Sequence, residues 1–387
     1  MAVREDLSAG TGRNTWTPFR AGWRQAPDLP WAPAYRRHQY LVIVGFVALA
    51  ALVLPQAISG TANQQLLDLW IVYSVAVIGF YWVFGLAGRF AFCQTFMMLF
   101  GGYVAAWVTR TLGPAWFLLG LVAAMAAAAA AAAVIGLVTA RAQDIYFAIG
   151  TIAVTEIGLV VFPHFTQFTG PGGTQIDIPP PQIGGLVFST QKDIFWLYLV
   201  IMALTLVVGA FIERSPVMRE AIASRDNRIT STTLGIPVGR IQLVLFVLGS
   251  AFGGLAGAMA GNLTGSVGTT SFGIQLAIGI FLMLILGGSN SMWGPVLGAA
   301  FYVVVPQLLQ SFSSYESIVY GGLLLVVIIL LPEGLLGLAN RVWRRMGGRG
   351  EHRVVPPHWD PLATFRRRDQ PESPADGGRP IGGDEPA

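Results

Sequence analysis

The sequence ERSPVMREAIASRDNRITSTTLGIPVGR, residues 213–240, is a polar island between two long apolar segments. Ser215 and Pro216 predict the start of a helix, because serine caps helix N-termini and proline fits the first helical position. Gly235 is typical of the end of such a segment. We predict a short amphipathic helix with one apolar side and charge around the rest. The apolar positions are Val217, Met218, Ala221 and Ile222, and the charged ones are Arg219, Glu220, Arg225 and Asp226.

The composition around this polar island is that of a polytopic membrane protein. Of 387 residues, 54% are hydrophobic and only 11% are charged. Apolar segments of about 20 residues are long enough to cross the hydrocarbon layer as helices. We therefore predict an all-α, polytopic membrane helix bundle of about ten transmembrane helices. The candidate spans are about 40–59, 66–86, 92–109, 114–139, 145–163, 193–212, 241–261, 274–288, 294–311 and 317–336.

The third and eighth of these spans are short and bounded by glycine, so broken or re-entrant helices remain an alternative to full crossings. The chain divides into an N-terminal arm (1–39), a transmembrane domain (40–338) that contains the polar island, and a tail (339–387) with a disordered composition. If all ten spans cross, every basic residue except Arg110 and Lys192 lies on one side. Positive charge concentrates in the cytosol, which predicts that both termini are cytosolic.

The longest external segment, about 164–192, is rich in turn-forming residues. It contains TGPGG at 169–173 and three prolines at 179–181. Proline and glycine at this density exclude a continuous helix. The segment is interpreted either as a connecting loop or as a docking surface or gate.

Four glycines recur every fourth residue along the seventh span and leave a bare stripe on one helix face. Such stripes let helix backbones approach closely in lipid. The stripe therefore indicates tight helix packing or a share in a translocation path. Its members are Gly249, Gly253, Gly257 and Gly261.

Acidic residues are rare within the spans. Glu156 is the only one well inside a span, where an ionised side chain costs on the order of 3 kcal/mol unless it is paired or hydrated. We interpret it either as a buried, hydrogen-bonded structural carboxylate or as part of a pathway or gate. Asp68 and Asp144, near span ends, are expected to reach the headgroups.

Several activities lack the residues that they need. A phosphate-binding loop requires a lysine after its glycines, but the only lysine, Lys192, stands in the sequence QKD. The four histidines are dispersed, and Cys93 is the only cysteine. We therefore expect no catalytic residues, no metal site and no cofactor bound by this chain. Nucleic acid is not an expected partner.

Six stretches in the right order resemble the permease subunits of branched-chain amino acid ABC importers, the LivM-like branch. The resemblance runs from about residue 40 to 338. Each stretch is a weak signal alone, and the ordered series is specific. They are GLAGRFAFCQTFMMLFGGYVAAW (85–107), RAQDIYFAIGTIAVTEIG (141–158), FTGPGG (168–173), SPVMREAIASRDNRITSTTLGIPVGRIQLVLFVLGSAFGGLAGAMAG (215–261), GGSNSMWGPVLGA (287–299) and LPEGLLG (331–337).

The resemblance implies an inner-membrane permease for branched-chain amino acids or related small polar solutes such as amides or urea. ATP is then bound by separate ABC ATPase subunits, a solute-binding protein delivers the solute, and a second, related permease completes the pathway. The chain itself would not be an enzyme. Gln94 falls in a stretch that resembles a path-lining region. The positions that match the family's ATPase-coupling segment are Arg219, Glu220, Ala221, Ile222, Asp226, Leu234 and Gly235.

The alternative to an ABC permease is a transporter of a different class, an ion-coupled secondary transporter of small solutes. Such transporters place ionisable groups and broken helices near the bilayer midplane. Only Glu156 is available for that purpose in this sequence. The residues do not select one solute.

Overall fold

The computed structural model describes residues 61–139, 144–165, 175–183, 186–188, 190–289 and 291–309, with a few further residues between 321 and 337. This part of the chain is a bundle of membrane-length helices, which confirms the predicted all-α, polytopic fold. Six helical segments in it are long and apolar enough to cross a membrane. The total of about ten stays a prediction, because the first span, most of the tenth span, the arm 1–39 and the tail 339–387 lie outside the described residues.

Ten α-helices and four short strands follow one another between residues 61 and 309. The helices are α1 (Thr61–Phe80), continued by a π-helical segment (Tyr81–Leu86), α2 (Gln94–Leu112), α3 (Phe117–Val138), α4 (Asp144–Val161), α5 (Gln191–Arg214), α6 (Pro216–Asp226), α7 (Arg228–Thr233), α8 (Val238–Thr264), α9 (Ile274–Gly287) and α10 (Trp293–Leu309). The strands are β1 (Gln175–Asp177), β2 (Gln182–Ile183), β3 (Leu186–Val187) and β4 (Ser266–Gly268).

Helix α8 is the centre of the bundle and packs against α1, α2 and α3. With 27 residues it is about 40 Å long at 1.5 Å per residue. Almost every side chain from Gly249 to Asn262 is buried. Its small residues let the neighbouring backbones come close, as the glycine stripe predicts.

An irregular segment, residues 87–93, separates the π-helical segment from α2. Irregular backbone at membrane depth needs partners from the protein, and two threonines of α4 supply them for Phe92. The Phe92 N–H donates to the hydroxyl oxygen of Thr151 over 3.1 Å, and the Thr155 hydroxyl donates to the Phe92 carbonyl oxygen over 3.3 Å. The ring of Phe281 in α9 packs against Phe92, with ring centroids 5.9 Å apart.

The third and eighth predicted spans have different outcomes. Helix α2, the third, runs without a break over 19 residues. Helix α9, the eighth, has 14 residues and is therefore about 21 Å long, shorter than a hydrocarbon layer of roughly 30 Å. With the 3-10 turn that precedes it, it forms the 19-residue segment Thr269–Gly287, which is one of the six membrane-length segments. A tight turn joins α9 to α10, because a Cβ on Gly287 would overlap the carbonyl group of Gly294.

The predicted external segment contains strands, in agreement with the expected absence of a continuous helix. Strand β1 pairs antiparallel with β4, which directly follows α8, and Ile176 stands opposite Val267. Both of these side chains are buried. This pairing attaches part of the segment to the end of α8. The segment is therefore not a loop without contacts to the bundle.

Candidate functional site

The polar island forms two helices, α6 and α7, where the sequence predicts one. Ser215 and Pro216 occupy the predicted N-cap and first helical positions, although the serine side chain makes no capping hydrogen bond. Asn227 ends α6 and starts α7, because its side-chain oxygen accepts a hydrogen bond from the Thr230 N–H over 3.0 Å. Gly235 has φ +79°, the left-handed conformation that a terminating glycine adopts.

The residues of the predicted apolar side of α6 divide between the bundle and the surface. Met218 and Ala221 are buried together with Ser224, and these three side chains seat α6 on the bundle. Ala221 has no exposed surface, so its position supports packing within this chain and not contact with a partner. Ile222 points away and is 41% exposed.

Three large apolar side chains of the polar island remain exposed. Ile222, Ile229 and Leu234 are 41%, 78% and 49% exposed. Arg219 and Asp226 are exposed in the same island, and Glu220 is half-buried. Exposed apolar side chains that are rimmed by charge are typical of a protein interaction site. We call these six residues the island patch.

Gln94 lies at the start of α2, between three helices. Its side-chain amide donates to the carbonyl oxygens of Ala76 in α1 and Gly249 in α8, each over 3.2 Å. The side chain is buried, with 3% exposed. Gln94 therefore ties the three central helices together, and a role in the pathway stays a prediction.

All four stripe glycines lie against other parts of the chain. A Cβ on Gly249 would overlap the Gly79 carbonyl oxygen, one on Gly253 would lie 2.8 Å from Gln94 Nε2, and one on Gly257 would overlap the Met98 carbonyl group. These contacts are close helix packing. Gly261 meets Val267 of β4 in the same way.

Glu156 is exposed on α4, so its carboxylate is not buried within the described bundle of this chain. Periodicity alone does not reveal which face of a helix meets its own bundle. The buried side of α4 carries Thr151, Thr155 and Gly158, and the opposite side carries Glu156 among exposed apolar residues. These include Ile149, Ile157 and Val160, which are 59%, 61% and 64% exposed. We call this side the outward face of α4.

Asp68 lies in a different environment from the expected one. The sequence places it near a span end, with access to headgroups, but its side chain is fully buried in the bundle. Gln191 and Tyr198 of α5 are neighbours of its carboxyl group. Because α5 packs against α1 at this point, the position of Asp68 near a span end does not expose it.

Sequence reasoning did not single out two arginine contacts. Arg89 is buried, and its guanidinium lies 4.0 Å from the centre of the Phe147 ring in α4. Arg225 of α6 donates a hydrogen bond to the carbonyl oxygen of Gly85 in the π-helical segment. No spacing rule predicts either contact, because the partners are 58 and 140 positions away in the sequence.

The chain is similar to known transport proteins over most of its length. It is 28% identical to the high-affinity branched-chain amino acid transport system permease protein LivM of Escherichia coli K12, over 78% of this chain and 76% of that protein. It is 25% identical to the permease protein LivH of the same strain, over 68% of this chain and 91% of that protein. BraD of Pseudomonas aeruginosa is 26% identical over 68% and 91%. No solved structure matches the chain.

A family model is matched by residues 64–328, which cover more than two thirds of the chain. The match includes the helices α1 to α10 from Gln64 onward, the glycine stripe and the polar island. The bundle of apolar helices and this match agree on a multi-pass membrane protein. The chain belongs to the branched-chain amino acid transport system / permease component family.

Proposed function

We propose that this chain is the permease subunit of an ATP-driven importer for branched-chain amino acids or related small polar solutes in the bacterial inner membrane. The observation that carries the proposal is the family match over residues 64–328. The relatives from Escherichia coli and Pseudomonas aeruginosa are named as permease proteins of high-affinity branched-chain amino acid transport systems. The chain is the translocation subunit and not the ATP-hydrolysing one.

ATP is bound by a separate ABC ATPase, which docks on the island patch. The patch offers three exposed apolar side chains with charges around them, a composition that provides both contact area and register. Because ATP is cytosolic, this docking requires the polar island to be cytosolic, and with the predicted ten spans both termini then lie on the same side. The placement of nearly all basic residues supports that orientation.

A second, related permease covers the outward face of α4. A carboxylate near the middle of a span is costly in contact with lipid, and Glu156 is exposed there. A protein neighbour or a hydrated path between two permeases removes this cost. The similarity of the chain to both LivM and LivH of one strain supports a pairing of two related subunits. A solute-binding protein delivers the solute at the opposite end, where β1 and β4 lie.

Glu156→Gln is expected to reduce transport about tenfold while leaving complex assembly unchanged. The substitution keeps the shape of the side chain and removes its charge, and a tenfold loss of rate corresponds to about 1.4 kcal/mol. Uptake and subunit copurification are measured on the same preparation. The control is Asp193→Asn, which removes the charge of an exposed acidic residue in the first turn of α5. Glu220 is not used for this purpose because it belongs to the island patch.

Wild-type transport and assembly in Glu156→Gln would contradict a role of this carboxylate in the path. Loss of the second permease from the complex would instead assign Glu156 to the contact between the subunits.

Reconstitution tests the proposed function directly. The chain, its second permease, the ATPase subunits and the solute-binding protein are placed in proteoliposomes, and uptake of radiolabelled leucine, isoleucine and valine is measured. We expect uptake that requires both ATP and the binding protein. The chain alone, under a proton or sodium gradient, should show none.

Ion-driven uptake by the isolated chain would favour a secondary transporter and contradict the proposal. ATP-driven uptake of an amide or of urea, with no uptake of the three amino acids, would keep the permease assignment and change the solute.

A further inference from the structure

Docking of an ATPase on the island patch moves the solute only if movement of α6 reaches the spans. The contacts between α6 and the bundle therefore determine which helices move when α6 moves. The apolar contacts of Met218 and Ala221 seat the helix, but they can slide, because apolar packing has no preferred direction. Directional connections require hydrogen bonds or ion pairs.

Two polar contacts connect the polar island to the same six-residue π-helical segment, one from the end of α5 and one from the end of α6. Glu213, in the last turn of α5, accepts a hydrogen bond from the Tyr81 hydroxyl over 3.3 Å. Arg225, in the last turn of α6, donates to the carbonyl oxygen of Gly85. Tyr81 and Gly85 lie four residues apart in the π-helical segment. The end of α5 and the end of α6 are therefore both held by this one segment, and Arg225 makes the hydrogen bond by which α6 itself contacts it.

Arg225 contacts the last turn of the π-helical segment. Carbonyl groups in the last turn of a helix lack partners within the helix, and a positive charge is favourable beside them. The aliphatic part of Arg225 crosses Gly88, whose φ is +70°. A Cβ on Gly88 would lie 3.0 Å from Arg225 Cγ, so the glycine leaves room for the arginine as well as for the left-handed turn.

The π-helical segment continues α1, which packs against α5, α8 and α10 in the centre of the bundle. The Ala76 carbonyl oxygen of α1 also holds Gln94 at the start of α2. A π-helical turn is uncommon in proteins and is often found at functional sites. The π-helical segment is therefore joined, through α1, to the contacts around Gln94.

We propose that Arg225 is a positioning residue that transmits movement of α6 to the π-helical end of α1, and so couples ATP hydrolysis to opening of the path. The proposal rests on the proposed function. Two tasks are then separate within the polar island. The island patch binds the ATPase, and Arg225 transmits the movement of α6 to the bundle.

Arg225→Ala tests this separation in the reconstituted complex. We expect normal copurification of the ATPase and normal basal ATP hydrolysis. The solute transported per ATP hydrolysed should fall about tenfold, within the usual range of coupling between sites. Arg225→Lys keeps a positive charge but not the planar fork, and should fall between Ala and wild type. Arg240→Ala, an exposed arginine in the first turn of α8, should leave the ratio unchanged.

A wild-type ratio of transport to hydrolysis in Arg225→Ala would overturn the proposal. A purely structural role would lower assembly, hydrolysis and transport together, and that result would overturn it as well. If Arg225→Ala fails to fold, Arg225→Lys decides by the same ratio. Absence of ATP-driven uptake in the wild-type complex would refute the proposed function instead, before any Arg225 variant is compared.

Discussion

Gly257→Ala is expected to destabilise the bundle more than any other single methyl group added to α8. The new Cβ would overlap the carbonyl group of Met98 in α2, and the atoms in its way are backbone atoms that no rotamer change can move. The two helices must separate, which also loosens the neighbouring contact of Gly253 with Gln94 in α2. Overpacking of a well-packed core usually costs about 1–3 kcal/mol, and we expect the upper end because the backbone itself is displaced.

The same substitution elsewhere on α8 is the matched control. Gly239→Ala adds an identical methyl group to the same helix, at a position where nothing lies within 4 Å of the new Cβ. Alanine is a better helix former than glycine by about 1 kcal/mol, so this variant should be neutral or slightly stabilised. The measurement is the thermal midpoint of the monodisperse protein in detergent. Equal midpoints for the two variants would contradict the close packing of α8 on α2.

Gly253→Ala should lie between these two extremes. Its Cβ would meet the side-chain amide of Gln94 at 2.8 Å, and a side chain can move where a backbone cannot. The cost is the weakening of the hydrogen bonds that Gln94 donates to Ala76 and Gly249.

Arg219→Glu together with Ile222→Asp is expected to abolish copurification of the ATPase subunit. Both side chains are exposed on α6, so the folded permease should tolerate the change. The substitutions reverse one charge and place a second carboxylate within the apolar part of the island patch. Interface hot spots cost about 2 kcal/mol or more each, so the pair should weaken docking at least about 100-fold.

Lys192→Glu serves as the control for charge reversal. Lys192 is exposed in the first turn of α5, at the opposite end of that helix from the polar island, and should not affect docking. Size-exclusion profiles of both variants check that the permease remains folded. Unchanged copurification of the ATPase with the double variant would exclude the island patch as the docking site.

The sequence alone was sufficient for the all-α polytopic fold, the helix start at Ser215 and Pro216, and the close packing that Gly249 to Gly261 permit. These properties depend on local composition and spacing, which a sequence displays directly. It could not show that Asn227 divides the polar island into two helices, because an asparagine in such a position is equally compatible with a continuous segment.

The ordered motifs of the sequence also indicated membership in the permease family. The direction that each side chain faces was decided by the tertiary structure. Ala221 is buried, Glu156 is exposed and Asp68 is enclosed, although all three stand in segments whose periodicity is compatible with the opposite outcome. The contact of Arg225 with Gly85 joins residues 140 positions apart. Periodicity defines the faces of a helix, but the neighbours that cover each face come from distant parts of the chain, and only their packing determines which face is inside.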